Sequence, residues 1–189
     1  MQIAKRIGSL FTCALPLALA VGACGSPSDR EIDSAIAEVR KYGGDVLVEQ
    51  FIAGRELTVG VLGDEVLPIL EIIPKGGFYD FTNKYPFLNP GAGGGAEHVC
   101  PAKIPEDETR AIQELALRAH RSLGLQVYSR VDVLLPENGA ATVLEVNTIP
   151  GMTEASLLPE AAAAAGINYV DLCARIIALS RARTEGASR

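Results

Sequence analysis

The stretch YSRVDVLLPENGAATVLEVNTIPGM, residues 128–152, decides the fold because two apolar runs within it are separated by turn residues. The runs cover residues 131–135 and 141–146, and the dipeptide Asn138-Gly139 lies between them. Asn-Gly between runs rich in β-branched residues is a strong hairpin signal, since both turn positions need a positive φ. The sequence therefore predicts an antiparallel hairpin with a two-residue loop at Asn138 and Gly139.

Counting back from that loop gives the register of the predicted hairpin. Asp132 is expected opposite Glu145, and Arg130 is expected opposite Asn147. Because side chains alternate along a strand, these four polar residues share one face. The other face can be buried, and it carries Val131, Val133, Leu144 and Val146.

Two carboxylates directly opposite each other on paired strands repel, so Asp132 and Glu145 need compensation. Mg²⁺ prefers carboxylate and amide oxygens and shares phosphate oxygens with a substrate. Arg130 beside them is a fixed cation suited to a phosphate or a developing oxyanion. Four converging polar residues favour a magnesium site over the alternative, a solvated hairpin face with an incidental charge cluster.

The same residues carry a family resemblance. RVDVLL…LEVNTIPGMTEASLLP, with EQFIAGRELTVGVLG upstream, closely resembles the C-terminal part of D-alanine–D-alanine ligases of the ATP-grasp superfamily, over about residues 32–183. The resemblance implies an α+β fold, with a mostly antiparallel sheet flanked by helices. Residues 29–183 are then a partial ATP-grasp domain, after a leader at residues 1–28 and before a disordered tail at 184–189.

The resemblance implies a role for each matched residue. Asp132, Glu145 and Asn147 would hold two Mg²⁺ ions, with Mn²⁺ as an alternative, against the phosphates of the substrate ATP. Arg130 would stabilise the tetrahedral intermediate. The implied contacts to adenine and ribose are Glu49, Gln50, Phe51, Ile52 and Glu56. Spacing alone would make Glu49 and Glu56 exposed strand charges.

Further matches bear on the remaining substrates. In the long polar loop after Pro74, Lys84 matches a lysine on the γ-phosphate and Tyr85 a tyrosine bonded into the D-alanine pocket. Gly151, Ser156 and Leu157 match the residues that hold the second D-alanine at a helix N-terminus, whose free N–H groups suit a carboxylate. Without the resemblance, Ser156 is simply a helix N-cap.

The implied reaction is the ATP-dependent joining of two D-alanines into D-alanyl-D-alanine for peptidoglycan precursors, through an acyl phosphate. The Lys84-Tyr85 pair favours this dipeptide over D-alanyl-D-lactate. Residues 1–31 cannot hold the family's N-terminal domain or its two upstream phosphate-binding lysines, so activity of the chain alone is doubtful. The alternative is an inactive nucleotide- and magnesium-binding module, or an exported lipoprotein derived from the ligase.

The N-terminal residues point to a different destination from the rest of the chain. Lys5 and Arg6 precede an apolar run at residues 7–21, and VGAC, ending at Cys24, resembles a lipobox. The ligase family is cytoplasmic and usually homodimeric, so the resemblance implies a cytoplasmic protein. A lipoprotein anchored at Cys24, and hence a membrane partner, follows only if the leader is genuine.

Composition and cysteine spacing exclude other classes. The net charge of −6 argues against nucleic-acid binding. Cys13, Cys24, Cys100 and Cys173 are dispersed, without a metal-binding spacing. His98 and Cys100 share a face of a predicted strand, as a base and nucleophile do, but the sequence offers no evident acid to orient the histidine. Cys100 is therefore interpreted as a reduced core residue.

The remaining elements follow from periodicity and turn residues. A capping box at residues 28–31 predicts a helix that ends at Gly43-Gly44, and Pro105 and Gly124 bracket another. Further predictions are a strand at 46–52, a hairpin of strands 56–62 and 66–73 around Gly63-Asp64, and helices at about 156–165 and 169–182.

Overall fold

The computed structural model describes residues 29–41, 43, 45, 46, 48, 50, 52–74, 96–137 and 139–187. The chain divides into two compact units, Met1–Ala53 with Pro74–Ala96, and Gly54–Ile73 with Glu97–Arg189. We call the second the sheet unit. The elements in chain order are α1 (Asp29–Arg40), β1 (Arg55–Leu62), β2 (Glu65–Val66), β3 (Leu70–Pro74), β4 (Ala96–Val99), α2 (Glu106–Ser122), β5 (Tyr128–Leu135), β6 (Thr142–Asn147), α3 (Leu157–Ala164) and α4 (Tyr169–Ala187).

The strands form one sheet in the order β4-β3-β1-β5-β6, with β2 paired to β1. The pairings of β1 with β2, β3 and β5, and of β5 with β6, are all antiparallel. The predicted α+β class, a mostly antiparallel sheet flanked by helices, is confirmed. The predicted polar face lies on β5 and on the edge strand β6, next to the central strand β1.

One face of the sheet packs against α2. Alternate residues of β1 and β5, including Val59 and Val131, are fully buried there with Ile112 and Ala116 of α2. Burying a valine or leucine side chain contributes roughly 1.5–3 kcal/mol. This core fixes which way the intervening residues of both strands point.

The opposite face packs at one end against α3 and α4. Leu62 and Leu67 form a second apolar cluster with Leu158 of α3 and Leu172 of α4. Gly60 allows this approach, because a Cβ there would lie 2.6 Å from Leu158 Cδ1 and 2.8 Å from Leu67 Cδ1. The predicted polar residues lie further along the same face, starting at Arg130, which pairs with Gly60.

The predicted two-residue loop at Asn138-Gly139 is wrong. Pairing of β5 with β6 ends at Leu134 and Thr142, so residues 135–141 connect the strands. Gly139 does not have the positive φ that the predicted turn requires, and Asn138 lies outside the described residues. Pro136 explains the longer connection, because it has no N–H to donate to the ladder.

The predicted register is nevertheless confirmed at the polar residues. Asp132 pairs with Glu145, and Arg130 pairs with Asn147. A bulge restores this register, because Val133 pairs with Val143 instead of Leu144. The predicted set of buried residues is therefore wrong at one position, because Val143 takes the place predicted for Leu144. Val143 and Val146 both pack against the core on the α2 side.

The hairpin at Gly63-Asp64 is confirmed, with Leu62 paired to Glu65 and Gly63 at a φ of 62°. Its second strand is not continuous over residues 66–73 as predicted. It breaks between β2 and β3 at residues 67–69, where Pro68 cannot donate to the ladder.

Two other predicted elements differ. The described residues of the predicted strand 46–52, Val46, Val48, Gln50 and Ile52, lie in no strand, because a β-branched run becomes one only with a paired neighbour. The last helix passes its predicted end near Ala182 and continues to Ala187, so most of the predicted disordered tail is helical. An ion pair between Arg181 and Glu185 at 3.8 Å supports that extension.

The predicted helix ends around α2 agree with the structure. Pro105 is the N-cap and Gly124, at a φ of 67°, follows the last turn. Among the described residues, no single helix has the length and apolar character to cross a membrane.

His120, in the last turn of α2, is a buried titratable group. Its Nδ1 lies 2.7 Å from Ser129 Oγ, and within the described part of the chain its Nε2 has no hydrogen-bond partner. Burial lowers the pKa of His120, and this outweighs the opposing attraction of Asp64, while Arg121 lowers the pKa further. The fold therefore favours the neutral imidazole.

We expect the free energy of unfolding to fall as the pH drops from 7.5 to 5. A histidine with a lowered folded pKa stabilises the fold above its unfolded value of about 6.5, and this contribution is lost below it as the unfolded chain takes up the proton. His120→Leu should flatten the dependence in urea titrations. His98→Gln is the control, since the chain has no third histidine. An equally steep fall in His120→Leu would contradict the prediction.

Candidate functional site

Five polar residues from three adjacent strands meet on one face of the sheet unit. We call Thr58, Arg130, Asp132, Glu145 and Asn147 the polar cluster. Thr58 pairs with Asp132 across β1 and β5, and Asp132 pairs with Glu145 across β5 and β6. The register thus places a hydroxyl and two carboxylates in one row, with Arg130 and Asn147 in the next.

Asp132 is the centre of the cluster. Arg130 donates from Nε to Oδ1 and from Nη2 to Oδ2, both at 2.9 Å. Thr58 Oγ1 donates to Oδ1 at 2.6 Å, and Asn147 Nδ2 donates to Oδ2 at 3.1 Å. An ionised carboxylate offers about four lone-pair sites, so four donors saturate it.

The amide of Asn147 links the two carboxylates. Its Nδ2 donates to Glu145 Oε1 at 3.1 Å as well as to Asp132 Oδ2. The amide nitrogen thus places partial positive charge between two like charges. This offsets part of the repulsion that the register imposes.

Burial and the neighbouring cation act in opposite directions on Asp132. Burial alone would raise the pKa of its carboxyl group, but the hydrogen bonds and positive charge of Arg130, with the hydroxyl of Thr58, lower it more. The net result is a pKa below the ordinary value for aspartate. Asp132 is therefore ionised at neutral pH, as a cation ligand must be.

The donor atoms of the cluster suit a hard divalent cation. Asp132, Glu145 and Asn147 together offer two carboxylates and one amide oxygen, the ligand types that Mg²⁺ takes. In the described ranges there is no group of three histidine, cysteine, aspartate or glutamate residues placed to hold a metal, so a cation at this cluster would need the Asn147 amide as its third protein ligand. Asn147 would have to present Oδ1 in place of Nδ2. The metal role of these residues stays a prediction.

A second group of predicted residues lies at the start of α3. Ser156 is the N-cap of this helix, but its side chain makes no capping bond. Its Oγ accepts from Thr153 N at 3.0 Å and lies 2.8 Å from Thr153 Oγ1. A Cβ on Gly151 would lie 2.8 Å from Ser156 Oγ, so the glycine makes room for the serine. The structure thus brings Gly151, Ser156 and Leu157 together, and their role in holding the second D-alanine stays a prediction.

Comparison with known proteins decides the family. The sequence profile described as "D-ala D-ala ligase C-terminus" matches residues 18–178. The chain belongs to this family. The family resemblance inferred from the residues is confirmed.

Relatives in the ligase family agree with this assignment. The chain is 47% identical over 154 residues to a D-alanine–D-alanine ligase of Methylacidiphilum infernorum, covering 82% of this chain and 49% of that protein. It is also 47% identical, over 158 residues, to one from Geotalea uraniireducens, covering 84% and 49%. The chain spans about half the length of the curated relatives it matches.

Solved structures of ligases share the fold. The D-alanine–D-alanine ligase from Bacillus anthracis complexed with ATP superposes with a TM-score of 0.70 at 31% identity, over 85% of this chain and 50% of that one. The D-Ala:D-Ser ligase VanG from Enterococcus faecalis gives 0.69 at 30% identity, over 87% and 48%. The C-terminal part of the ATP-grasp fold is thereby shown for this chain of the ligase family.

Of the remaining residues predicted from the ligase resemblance, three are among the described residues and four are not. Glu56 lies two residues from Thr58 on β1, on the same face, and is half-buried. Gln50 is exposed and Ile52 is half-buried, both in the unit that contains Met1–Ala53. Glu49, Phe51, Lys84 and Tyr85 lie outside the described residues.

Two partners of the predicted residues, Thr58 and Glu160, had no signal in the sequence. Thr58 was hidden because a threonine in a strand pattern predicts only β structure. The distance between Glu160 Oε2 and His98 Nδ1 is 2.8 Å. The acid that the sequence did not reveal beside His98 is therefore present. However, burial together with the charge of Glu160 raises the pKa of Cys100 to about 11. This supports the interpretation of Cys100 as a structural residue, because nucleophilic cysteines need a lowered pKa.

We expect Cys100 to react with iodoacetamide at pH 8 roughly a hundredfold more slowly than in the urea-unfolded chain, because only the thiolate is nucleophilic and unfolded cysteine titrates near 8.5. Peptide mass spectrometry can follow the modification at Cys100 alone. Glu160→Gln should speed the reaction by removing a negative charge, whereas Glu154→Gln serves as the control. Equal rates in the folded and unfolded chain would contradict the prediction.

Proposed function

We propose that this chain forms the C-terminal half of the active site of an ATP-dependent ligase that joins two D-alanines into D-alanyl-D-alanine for peptidoglycan precursors. The observation that carries the proposal is the register of the polar cluster, in a chain of the ligase family. It brings Asp132, Glu145 and Asn147 together beside Arg130. Because ATP is a cytosolic substrate, we place the activity in the cytoplasm.

The polar cluster would carry the charge chemistry of the reaction. Asp132, Glu145 and Asn147 would hold Mg²⁺, as two ions with Mn²⁺ as a substitute, and the bound metal would supply positive charge against the ATP phosphates. Arg130 is fixed by its two-point contact with Asp132. A fixed cation stabilises a developing oxyanion without having to reorganise during the reaction.

The N-terminus of α3 would receive the second D-alanine. Gly151 and the hydroxyl of Ser156 lie beside one another there, and Leu157 is the first helical residue. The first-turn N–H groups of a helix bind carboxylates. Held this way, the second D-alanine would attack with its amine the acyl phosphate formed from the first D-alanine, releasing phosphate.

The predicted contacts to the nucleotide, and those from the polar loop after Pro74, extend this proposal. Glu49, Gln50, Phe51 and Ile52 would hold the adenine, and Glu56 the ribose. Lys84 would neutralise the γ-phosphate, and Tyr85 would order the D-alanine pocket. These assignments rest on the resemblance of the motifs EQFIAGRE and FYDFTNKYPF to the ligases.

A second candidate function is a nucleotide- and magnesium-binding module without catalysis, cytoplasmic or carried on an exported lipoprotein. The two candidates share the metal site and differ in whether D-alanine drives turnover.

The metal assignment can be tested by binding. We expect Asp132→Asn and Glu145→Gln each to weaken binding of Mg–ATP by about tenfold or more, because each removes a charged oxygen ligand. Isothermal titration calorimetry on the 189-residue chain measures the affinity. Glu137→Gln, the same chemical change on the exposed β5–β6 connection, should leave it unchanged. Equal affinities in all four proteins would remove the metal role.

The ligase reaction can be tested in a chimera. Residues 29–187 replace the matching half of the Methylacidiphilum infernorum ligase, and phosphate release is followed with ATP, Mg²⁺ and D-alanine. We expect D-alanine-dependent turnover with D-alanyl-D-alanine as the main product near neutral pH, since positioning both reactants supplies ~7–11 kcal/mol of the barrier reduction. The isolated chain, given the same substrates, should be slower by several orders of magnitude.

Two controls make the chimera decisive. Asp132→Asn in the chimera should abolish turnover, whereas Glu137→Gln should not. Nucleotide binding without D-alanine-dependent turnover would favour the inactive module. Mass spectrometry of products from mixed D-alanine, D-serine and D-lactate tests the second substrate, and a product consisting mainly of D-alanyl-D-lactate would contradict the assignment.

A further inference from the structure

Thr58 is a buried residue whose hydroxyl has a specific partner. It lies on the central strand β1, directly opposite Asp132, and is 1% exposed. Its Oγ1 donates to Asp132 Oδ1 at 2.6 Å and lies 3.5 Å from Val131 O. Burying a hydroxyl without a partner costs about 1–3 kcal/mol, and the much shorter contact makes the Asp132 carboxylate the main partner of this hydroxyl.

The four hydrogen bonds to Asp132 are divided two and two between its oxygens. Oδ1 accepts from Thr58 Oγ1 and Arg130 Nε, whereas Oδ2 accepts from Arg130 Nη2 and Asn147 Nδ2. Asn147 is itself expected to ligate the cation, and it would then withdraw its N–H from Oδ2. Oδ2 then keeps only the hydrogen bond from Arg130 Nη2 and gains one open acceptor position, while Oδ1 keeps both of its donors.

We propose that Thr58 is a positioning residue for Asp132, which holds Oδ1 so that Oδ2 faces the divalent cation. This inference rests on the metal role proposed above. Without the Thr58 hydroxyl, and with the Asn147 amide turned toward the cation, Arg130 alone would orient the carboxylate. Arg130 competes with a cation for the same oxygens, so the loss of an independent anchor favours the ion pair over the metal.

The test is Mn²⁺ binding to the 189-residue chain, with free Mn²⁺ measured by electron paramagnetic resonance. Thr58→Val keeps the shape and removes the hydroxyl, and we expect about tenfold weaker binding, the lower end of what indirect contacts to a metal contribute. Thr58→Ser restores the hydroxyl and should bind within about threefold of the wild type. Thr142→Val makes the same chemical change at an exposed position on β6 and should bind as the wild type does.

Further measurements separate the outcomes. Urea unfolding without metal identifies variants that fold, and Thr58→Ala replaces Thr58→Val if the latter does not. Equal Mn²⁺ affinity in the wild type and in a folded hydroxyl-free variant would overturn the positioning role while leaving the proposed ligase function intact. Failure of Thr58→Ser to restore affinity would also overturn it. A wild type that binds no Mn²⁺ would overturn both, and the wild-type titration alone identifies that case.

Discussion

The repulsion between Asp132 and Glu145 is the constraint that the rest of the sheet unit serves. The register of β5 and β6 places the two carboxylates opposite each other, and like charges in that position destabilise a sheet. Arg130, Thr58 and Asn147 offset the repulsion with donors aimed at the carboxylate oxygens. The apolar core on the other face fixes the orientation of the strands. Asp132 and Glu145 therefore cannot separate by rotation of one strand to expose its opposite face. The sheet unit thus holds two carboxyl groups side by side, and the proposed divalent cation would offset the remaining repulsion between them.

Local sequence predicted the essential geometry because side chains alternate with a period of two. Once two runs are recognised as one hairpin, the residues that share a face with Asp132 follow from counting. The predicted loop was wrong because the prediction relied on the Asn-Gly dipeptide and neglected Pro136. Proline has no N–H to donate to the ladder, so the pairing ends before it. The bulge opposite Asp132 compensated for this error and moved only the apolar assignment, from Leu144 to Val143. The polar face was therefore predictable, and the detail of the connection was not.

Contacts between distant segments could not be predicted. Thr58 and Asp132 are far apart in sequence, and their bond exists only because β1 pairs with β5. Glu160 meets His98 because α3 packs on the sheet, and no local pattern indicates that approach. The grouping of Gly151 with Ser156 was expected from the family resemblance, since spacing alone indicated only a helix N-cap. Local patterns thus identify the strand face that carries the candidate site residues. The residues that orient those side chains come from distant segments and depend on the tertiary structure.

The bulge between β5 and β6 has a consequence for how this hairpin tolerates insertions and deletions. In a regular ladder, adding or removing one residue in the connection changes the parity of the second strand and turns Glu145 to the opposite face. Here residues 135–141 and the bulge together set the parity, so losing a loop residue and losing the bulge cancel each other. A change in the length of the connection can thus be compensated by the presence or absence of the bulge. Homologous hairpins can therefore differ by one residue in this loop and keep both carboxylates on the same side.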